Sequence, residues 1–220
     1  MPDSEHHFLR KPTNWKALYF YQKAEALYQL TYAFKERFLK KNDRTIDQMV
    51  QAARSITQNI IEGSEDGITS TEIEVKLNGV SKGSLQELLH DYEQYLETRG
   101  LVQWEAGHPR YDGMMEYCRR HNGVEDYKPF FAVATDEELA NIAISLCHFI
   151  DKMIAKHLAN LEQDFVENGG IKERMTAARL GRRQTQNQEI SALKARVAEL
   201  EAEVTKWRTW YAEQQQAGKP

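Results

Sequence analysis

Two pairs of side chains in the 220-residue sequence are of the types that hold zinc: Cys118 and His121 in a Cys-x-x-His spacing, and the adjacent Cys147 and His148. Thiolate and imidazole are zinc donors, but a structural site takes four protein ligands and a catalytic one three. A single Cys-x-x-His is half of such a set. Neighbours on a helix point about 100° apart, so Cys147 and His148 do not share one ion. No Gly-x-Ser-x-Gly or phosphate-loop pattern supplies a nucleophile or an anion cradle, and no carboxylate pair has surroundings that would split its pKa values. Gly79-Val-Ser-Lys-Gly83 falls in the middle of a helical pattern, where small residues let a neighbouring helix come close. The residues therefore predict a protein without catalytic centre, metal or cofactor.

Two groupings offer contact chemistry instead. The stretch ARSITQNIIEG, ending at Gly63, sets Arg54, Ser55, Gln58, Asn59 and Glu62 inside an otherwise apolar helical pattern. At about 100° per residue these five gather on the side opposite the stripe Met49, Val50, Ala53, Ile56 and Ile60. Arg54, Gln58 and Glu62 stand at successive i, i+4 positions, as in an exposed ladder of mutual support worth a few tenths of a kcal/mol per pair. The other reading is a second contact face. Further along, Lys172, Arg174, Arg179, Arg182 and Arg183 stand against one acid, Glu173, between residues 171 and 184. On a helix such cations either track the phosphates of RNA or DNA or form a solvated face.

The elements that carry these residues are helices. From Trp15 to Lys40, Leu18, Tyr21, Leu27, Leu30, Phe34 and Phe38 trace one helix face. A second helix, with Asp43 or Thr45 as cap, runs to Gly63. Thr69, Ser70 or Thr71 caps a third, with Glu72 and Glu74 in its first turn. Its apolar lines, Ile73, Leu77, Val80, Ser84 and Leu88 beside Leu85, Leu89, Tyr92 and Leu96, form a wide arc that predicts burial against several neighbours. Residues 99–135, broken by Gly100, Gly107, Pro109, Gly113, Gly123 and Pro129, read as a packed connection with one short helix around Met114 to Arg120. Thr135 and Glu138 have the spacing of a capping box, opening a long fourth helix that Asn168-Gly169-Gly170 ends. The expected fold is all-α: an antiparallel four-helix bundle over residues 1–170, a basic connector over 171–184 and a coiled-coil tail over 185–217.

In the tail, Ile190, Leu193, Val197, Leu200, Val204, Trp207 and Tyr211 follow a 3, 4 heptad spacing. In a parallel partner the flanking charges would meet as Glu189 with Lys194, Arg196 with Glu201 and Glu203 with Arg208, each pair opposite in sign. β-branched residues at a with Leu at d favour two strands, so the tail predicts a homo-oligomer, the alternative being a helix folded back on the bundle. Composition agrees with a globular chain: 41% hydrophobic and 28% charged residues. No run reaches the roughly 18 apolar residues of a membrane span, the start MPDSEHHFLRKP lacks the apolar core of a secretory signal, and two cysteines make no disulfide framework. A cytoplasmic protein without membrane contact is expected. Net charge is −4, but residues 1–170 carry 19 basic against 27 acidic side chains and residues 171–220 carry ten against six. Nucleic acid, if bound, would meet the tail first.

The motif Arg-Ser…Asn-Ile-x-Glu-Gly at Arg54, Ser55, Asn59, Ile60, Glu62 and Gly63, followed by Gly-Ser-Leu-x-Glu-Leu at Gly83, Ser84, Leu85, Glu87 and Leu88, resembles the four-helix-bundle proteins named for the 23S rRNA intervening sequence. The long fourth helix followed by NGGIKERM is similar to their four-helix-bundle suffix variant, and the likeness spans roughly residues 15 to 180. The resemblance implies a bacterial cytosolic bundle that assembles into a ring, commonly a pentamer, without known enzymatic activity. It also implies kinship with accessory proteins of diversity-generating retroelements, which bind nucleic acid and a reverse transcriptase. On it, Arg54, Asn59, Glu62, Ser84 and Glu87 form a fold-and-assembly signature, with Arg54 meeting Glu87 on the third helix or a neighbouring subunit. Ile190, Leu193, Val197, Leu200, Val204 and Trp207 join them as assembly residues through the heptad.

Overall fold

The computed structural model of the chain describes residues 8–40 and 45–217, and among these every regular element is helical. Asp43, one of the two expected caps of the second helix, lies outside the described residues. The chain divides into two compact units, Leu9–Gly170 and one that contains the last helix.

A single 3-10 turn, Trp15–Ala17, precedes α1 (Tyr19–Phe38), and the extended backbone of Leu18 separates the two. Phe20, Ala24, Leu27, Leu30 and Phe34 are its buried face. On α2 (Thr45–Asp66) the stripe Met49, Ala53, Ile56 and Ile60 is buried. Gly63 does not end this helix, which continues for three more residues. Its role is close approach: a Cβ there would stand 3.3 Å from Asn78 Nδ2 and 3.4 Å from Leu77 Cβ on the facing helix. That helix, α3 (Thr71–Arg99), starts at Ser70, whose hydroxyl accepts from the Ile73 amide at 3.2 Å, and ends at Gly100 in the left-handed conformation that glycine adopts without strain. The connection 99–135 holds α4 (Tyr111–Arg120) and a second helix, α5 (Val124–Val133), that its Gly123 and Pro129 hide from a reading by punctuation. Asp126 accepts from the Gly123 amide at 3.0 Å, and Pro129 sits exposed on a surface helix that tolerates one lost hydrogen bond. Thr135 and Glu138 form the expected capping box of α6 (Asp136–Asn168), which stops at Gly169. The final helix, α7 (Ile171–Ala217), is continuous, so the basic stretch forms its first turns and is no separate linker.

Contacts between helices fix the topology. Across α2 and α3, Ser55 meets Ser84, Ile56 meets Ser81 and Gly63 faces Asn78, partner numbers falling on one helix as they rise on the other. The same antiparallel register joins α3 to α6, through Tyr95 with Asp136, Lys82 with Asp151 and Glu74 with His157. It also joins α1 to α6, through Phe20 with His157 and Arg37 with the Ala134 carbonyl. Between α1 and α3 the register runs the other way: Tyr92 donates to Thr31 Oγ1 at 2.9 Å, and Phe34 stacks edgewise on Tyr92 and Tyr95. These are the diagonal contacts of an up-down-up-down four-helix bundle.

The α4–α5 layer is fastened from below by a buried cation. Lys23 of α1 is fully enclosed, and its ammonium donates to the carbonyls of Cys118 and His121, the last acceptors of α4. A lysine at that end satisfies orphan carbonyls and opposes the negative end of the helix dipole. Burial lowers the Lys23 pKa, while Cys118 and Asp126 oppose the shift. Replacing Lys23 by Met, which keeps the stem and removes the ammonium, should cost about 2–3 kcal/mol in a urea unfolding curve because buried carbonyls lose their donor. The α4 amides should then lose hydrogen-exchange protection first.

Candidate functional site

The outer seam between α2 and α3 is built of small polar side chains. Asn59 donates to the Ser55 carbonyl at 2.8 Å and to its hydroxyl at 3.0 Å; Ser84 reaches the same hydroxyl from α3 at 3.0 Å. Deeper in, Ser81 donates to the Ile56 carbonyl at 3.2 Å. Three motif residues, Ser55, Asn59 and Ser84, thus lock the two helices at close range. Around them opens a polar cleft lined by Gln48, Gln51, Ser55, Ser84, Glu87 and Asp91. Burial, with Glu87 adding to it, raises the Asp91 carboxyl above the usual carboxylate range, against the pull of His90.

Arg54, Glu62 and Glu87 behave differently from these three. All are exposed, and among the described residues none forms an ion pair, so Arg54 does not meet Glu87 within the chain. Nor is there a hydrogen-bonded ladder along Arg54, Gln58 and Glu62. Beside this open polar edge lies an apolar stripe. Ile73 and Val80, expected in the core, are 41% and 47% exposed, with half-buried Leu77 between them. The phase of α3 is set by polar residues instead: Glu74, Asn78 and Ser81 are the buried ones. Glu74 accepts from Arg10 at 2.5 Å and faces His157 Nε2 at 3.0 Å, which pays for its burial. Gly67 makes room for that carboxylate, since a Cβ there would stand 2.3 Å from Glu74 Oε2. A signal for this was present in the width of the apolar arc, which no single buried face needs.

In α7 the heptad residues Ile190, Leu193, Val197, Leu200, Val204 and Trp207 are all exposed, as are Trp210 and Tyr211. Arg196 pairs along its own helix with Glu199 at 2.8 Å. Helix geometry divides the five expected cations. Lys172, Arg179 and Arg183 fall within about 40° of one another and Arg182 within about 60° of Arg179, whereas Arg174 points to the opposite side. The first four are exposed.

The cysteine and histidine pairs do not assemble a donor set. Among the described residues no three His, Cys, Asp or Glu side chains converge as metal ligands would. His121 turns Nδ1 to the Tyr117 carbonyl at 2.9 Å, Cys147 is buried on α6 and His148 beside it is exposed. Burial pushes the Cys118 thiol up to about 11, with Lys23 acting against the shift, and raises Cys147 further.

The fold and its surfaces define a helical-bundle protein with exposed polar residues on α2 and exposed apolar residues on α3 and α7. The family model of the 23S rRNA-intervening sequence protein matches residues 16–115, from the 3-10 turn through α1, α2 and α3 into α4, and over this stretch the chain is similar to that family. No curated protein and no solved structure gives a significant match. No helix among the described residues is long and apolar enough to cross a membrane.

The thiols give the site a test. At pH 7.5 both are protonated and buried, so a disulfide reagent should leave the native protein unlabelled over minutes and label two thiols once urea unfolds it. Because the folded Cys118 pKa lies above its unfolded value, its stabilisation is complete below about pH 9 and is lost as pH rises through about 11. Cys118→Ala should flatten that part of the stability profile.

Proposed function

We propose that this chain is a non-enzymatic, self-associating helical-bundle module that engages nucleic acid, or a protein working on it, through the first turns of α7. The observation that carries this is the phase of the cations. Extending the heptad upstream from Ile190 puts Arg183 at an a position and Arg179 and Lys172 at d positions. Two helices zipped through Ile190 to Trp207 would set these like charges against each other if pairing continued, so pairing stops there and the basic face stays open to phosphates. Zipping removes from water an apolar seam that a single helix leaves exposed.

The second reading is a protein-only scaffold, in which a ring or coil displays a partner, a reverse transcriptase among the candidates, and nucleic acid plays no part. The acidic balance of residues 1–170 and the stripe Ile73, Leu77 and Val80 favour it. Resemblance to ring-forming bundles adds the outer α2–α3 face as a surface for self-association, with exposed Arg54, Glu62 and Glu87 available to a neighbouring subunit.

Binding to RNA or DNA should fall steeply with salt, and changing Arg179, Arg182 and Arg183 together to Ala should weaken it at least about tenfold and reduce the salt slope by two to three counter-ions. Undiminished binding of that variant would sink the nucleic-acid assignment; partner capture that survives nuclease would favour the scaffold. Separately, Arg54→Ala with Glu62→Ala should lower the mass seen by light scattering while leaving the melting temperature of the bundle nearly unchanged, since neither side chain has an ion-pair partner among the described residues. An unchanged mass would remove the α2–α3 face from the assembly.

A further inference from the structure

A cavity of about 530 Å³ opens between α4, α5 and α6, within the size range of sites for small organic ligands. Its walls are Trp104, Met114, Tyr117, Phe130, Val133 and Ile142, with the neutral thiol of Cys118 among them. At the mouth stands Arg110. One guanidinium nitrogen donates to Glu138 Oε1 at 2.6 Å, and the plane lies 5.3 Å from the Trp104 ring. The other Glu138 oxygen is taken by the Thr135 amide at 2.9 Å, and these hydrogen bonds, with Arg110, hold the Glu138 carboxyl below its usual range. Glu138 is thus held on both oxygens, while Arg110, 59% exposed, keeps donors of its planar fork unspent at the entrance.

Gly113 is the second observation. It lies inside α4, where glycine costs about 1 kcal/mol relative to alanine. Its backbone is not left-handed, and a Cβ added to it would meet nothing within 4 Å. Neither conformation nor packing calls for glycine there; Gly113 is exposed at the edge of the cavity it lines, where a larger side chain has open space to occupy.

We propose that this cavity binds an amphipathic organic anion, its aromatic or branched apolar body between α4, α5 and α6 and its carboxylate on the free donors of Arg110. The site is independent of the α7 and α2–α3 surfaces. It uses apolar burial for affinity and one bidentate charge for orientation, the division of labour usual in small-molecule sites.

The full chain titrated with 2-naphthoate by isothermal calorimetry, and with uncharged 2-naphthalenemethanol as comparison, tests it. The acid should bind with a Kd of roughly 10–100 μM and the alcohol at least about fivefold more weakly. Gly113→Leu, which fills the space, should weaken the acid about tenfold or more while raising or preserving the melting temperature. Arg110→Gln should bring the acid down to the affinity of the alcohol. Val133→Asp, at an exposed rim position, should repel the acid and spare the alcohol, so the charge requirement is read even where the glycine variant folds poorly. No heat with the acid up to about 5 mM, equal affinity in Gly113→Leu, or equal affinity in Arg110→Gln would each overturn the proposal.

Discussion

The first turn of α6 holds together parts of the chain that are far apart in sequence. Its unpaired amides and positive dipole end favour acids, and Thr135 to Glu138 supplies them. Each acid then does a second task. Asp136 accepts from the Tyr95 hydroxyl at 3.1 Å, tying the turn to the end of α3. Glu137 takes the Val102 amide at 3.0 Å and the Trp104 indole at 3.1 Å, and one turn on, Asn141 accepts from the Trp104 amide at 2.7 Å. Glu138 holds Arg110. The chain leaving α3 is therefore laid along the start of α6 before α4 begins, and the cavity wall inherits its position from that docking.

At the other end of the bundle, polar burial organises the surface. Arg10 reaches Glu74 and the Gly67 carbonyl, at 2.5 and 3.2 Å, and Asp164 lies 3.5 Å from its Nε. A carboxylate enclosed this fully is tolerated only with partners in place, and once they are in place it decides which way α3 faces. Turning Glu74, Asn78 and Ser81 inward turns Ile73 and Val80 outward. An apolar stripe on the surface is thus the direct result of a charge in the interior.

Much of the bundle was legible because its signals are local. Ser70, Thr135 with Glu138, and Gly169 act at the positions where their side chains or lack of one predict. Apolar spacing gave the inner face of α2 and the Leu27, Leu30 and Phe34 part of α1, but not Phe20 or Ala24. The failures share a cause, which is that a partner distant in sequence overrides a local rule. Gly63 reads as a stop until α3 is seen pressed against it, and Ile73 reads as core until Arg10 is seen on Glu74. Gly123 and Pro129 read as loop, yet α5 forms because Tyr127 is buried and donates to the His121 carbonyl at 3.0 Å. Among site residues, Ser55, Asn59 and Ser84 came from pattern and do meet. Arg110 and Gly113 were beyond reach, since their cavity exists only where three helices converge.

The direction of α7 adds a final constraint. Lysine and arginine are disfavoured in the opening turns of a helix, where the peptide dipoles present their positive end, by roughly 0.3–1 kcal/mol for each exposed charge close to the terminus. A sequence selected only to form this helix would carry acids at Lys172 and Arg174 and keep its cations for the far end, yet its last turn holds no basic residue. The polarity is inverted relative to what helix formation favours. Lys172 therefore works against the dipole at the start of α7, and a neutral residue there would favour the helix by roughly 0.3–1 kcal/mol.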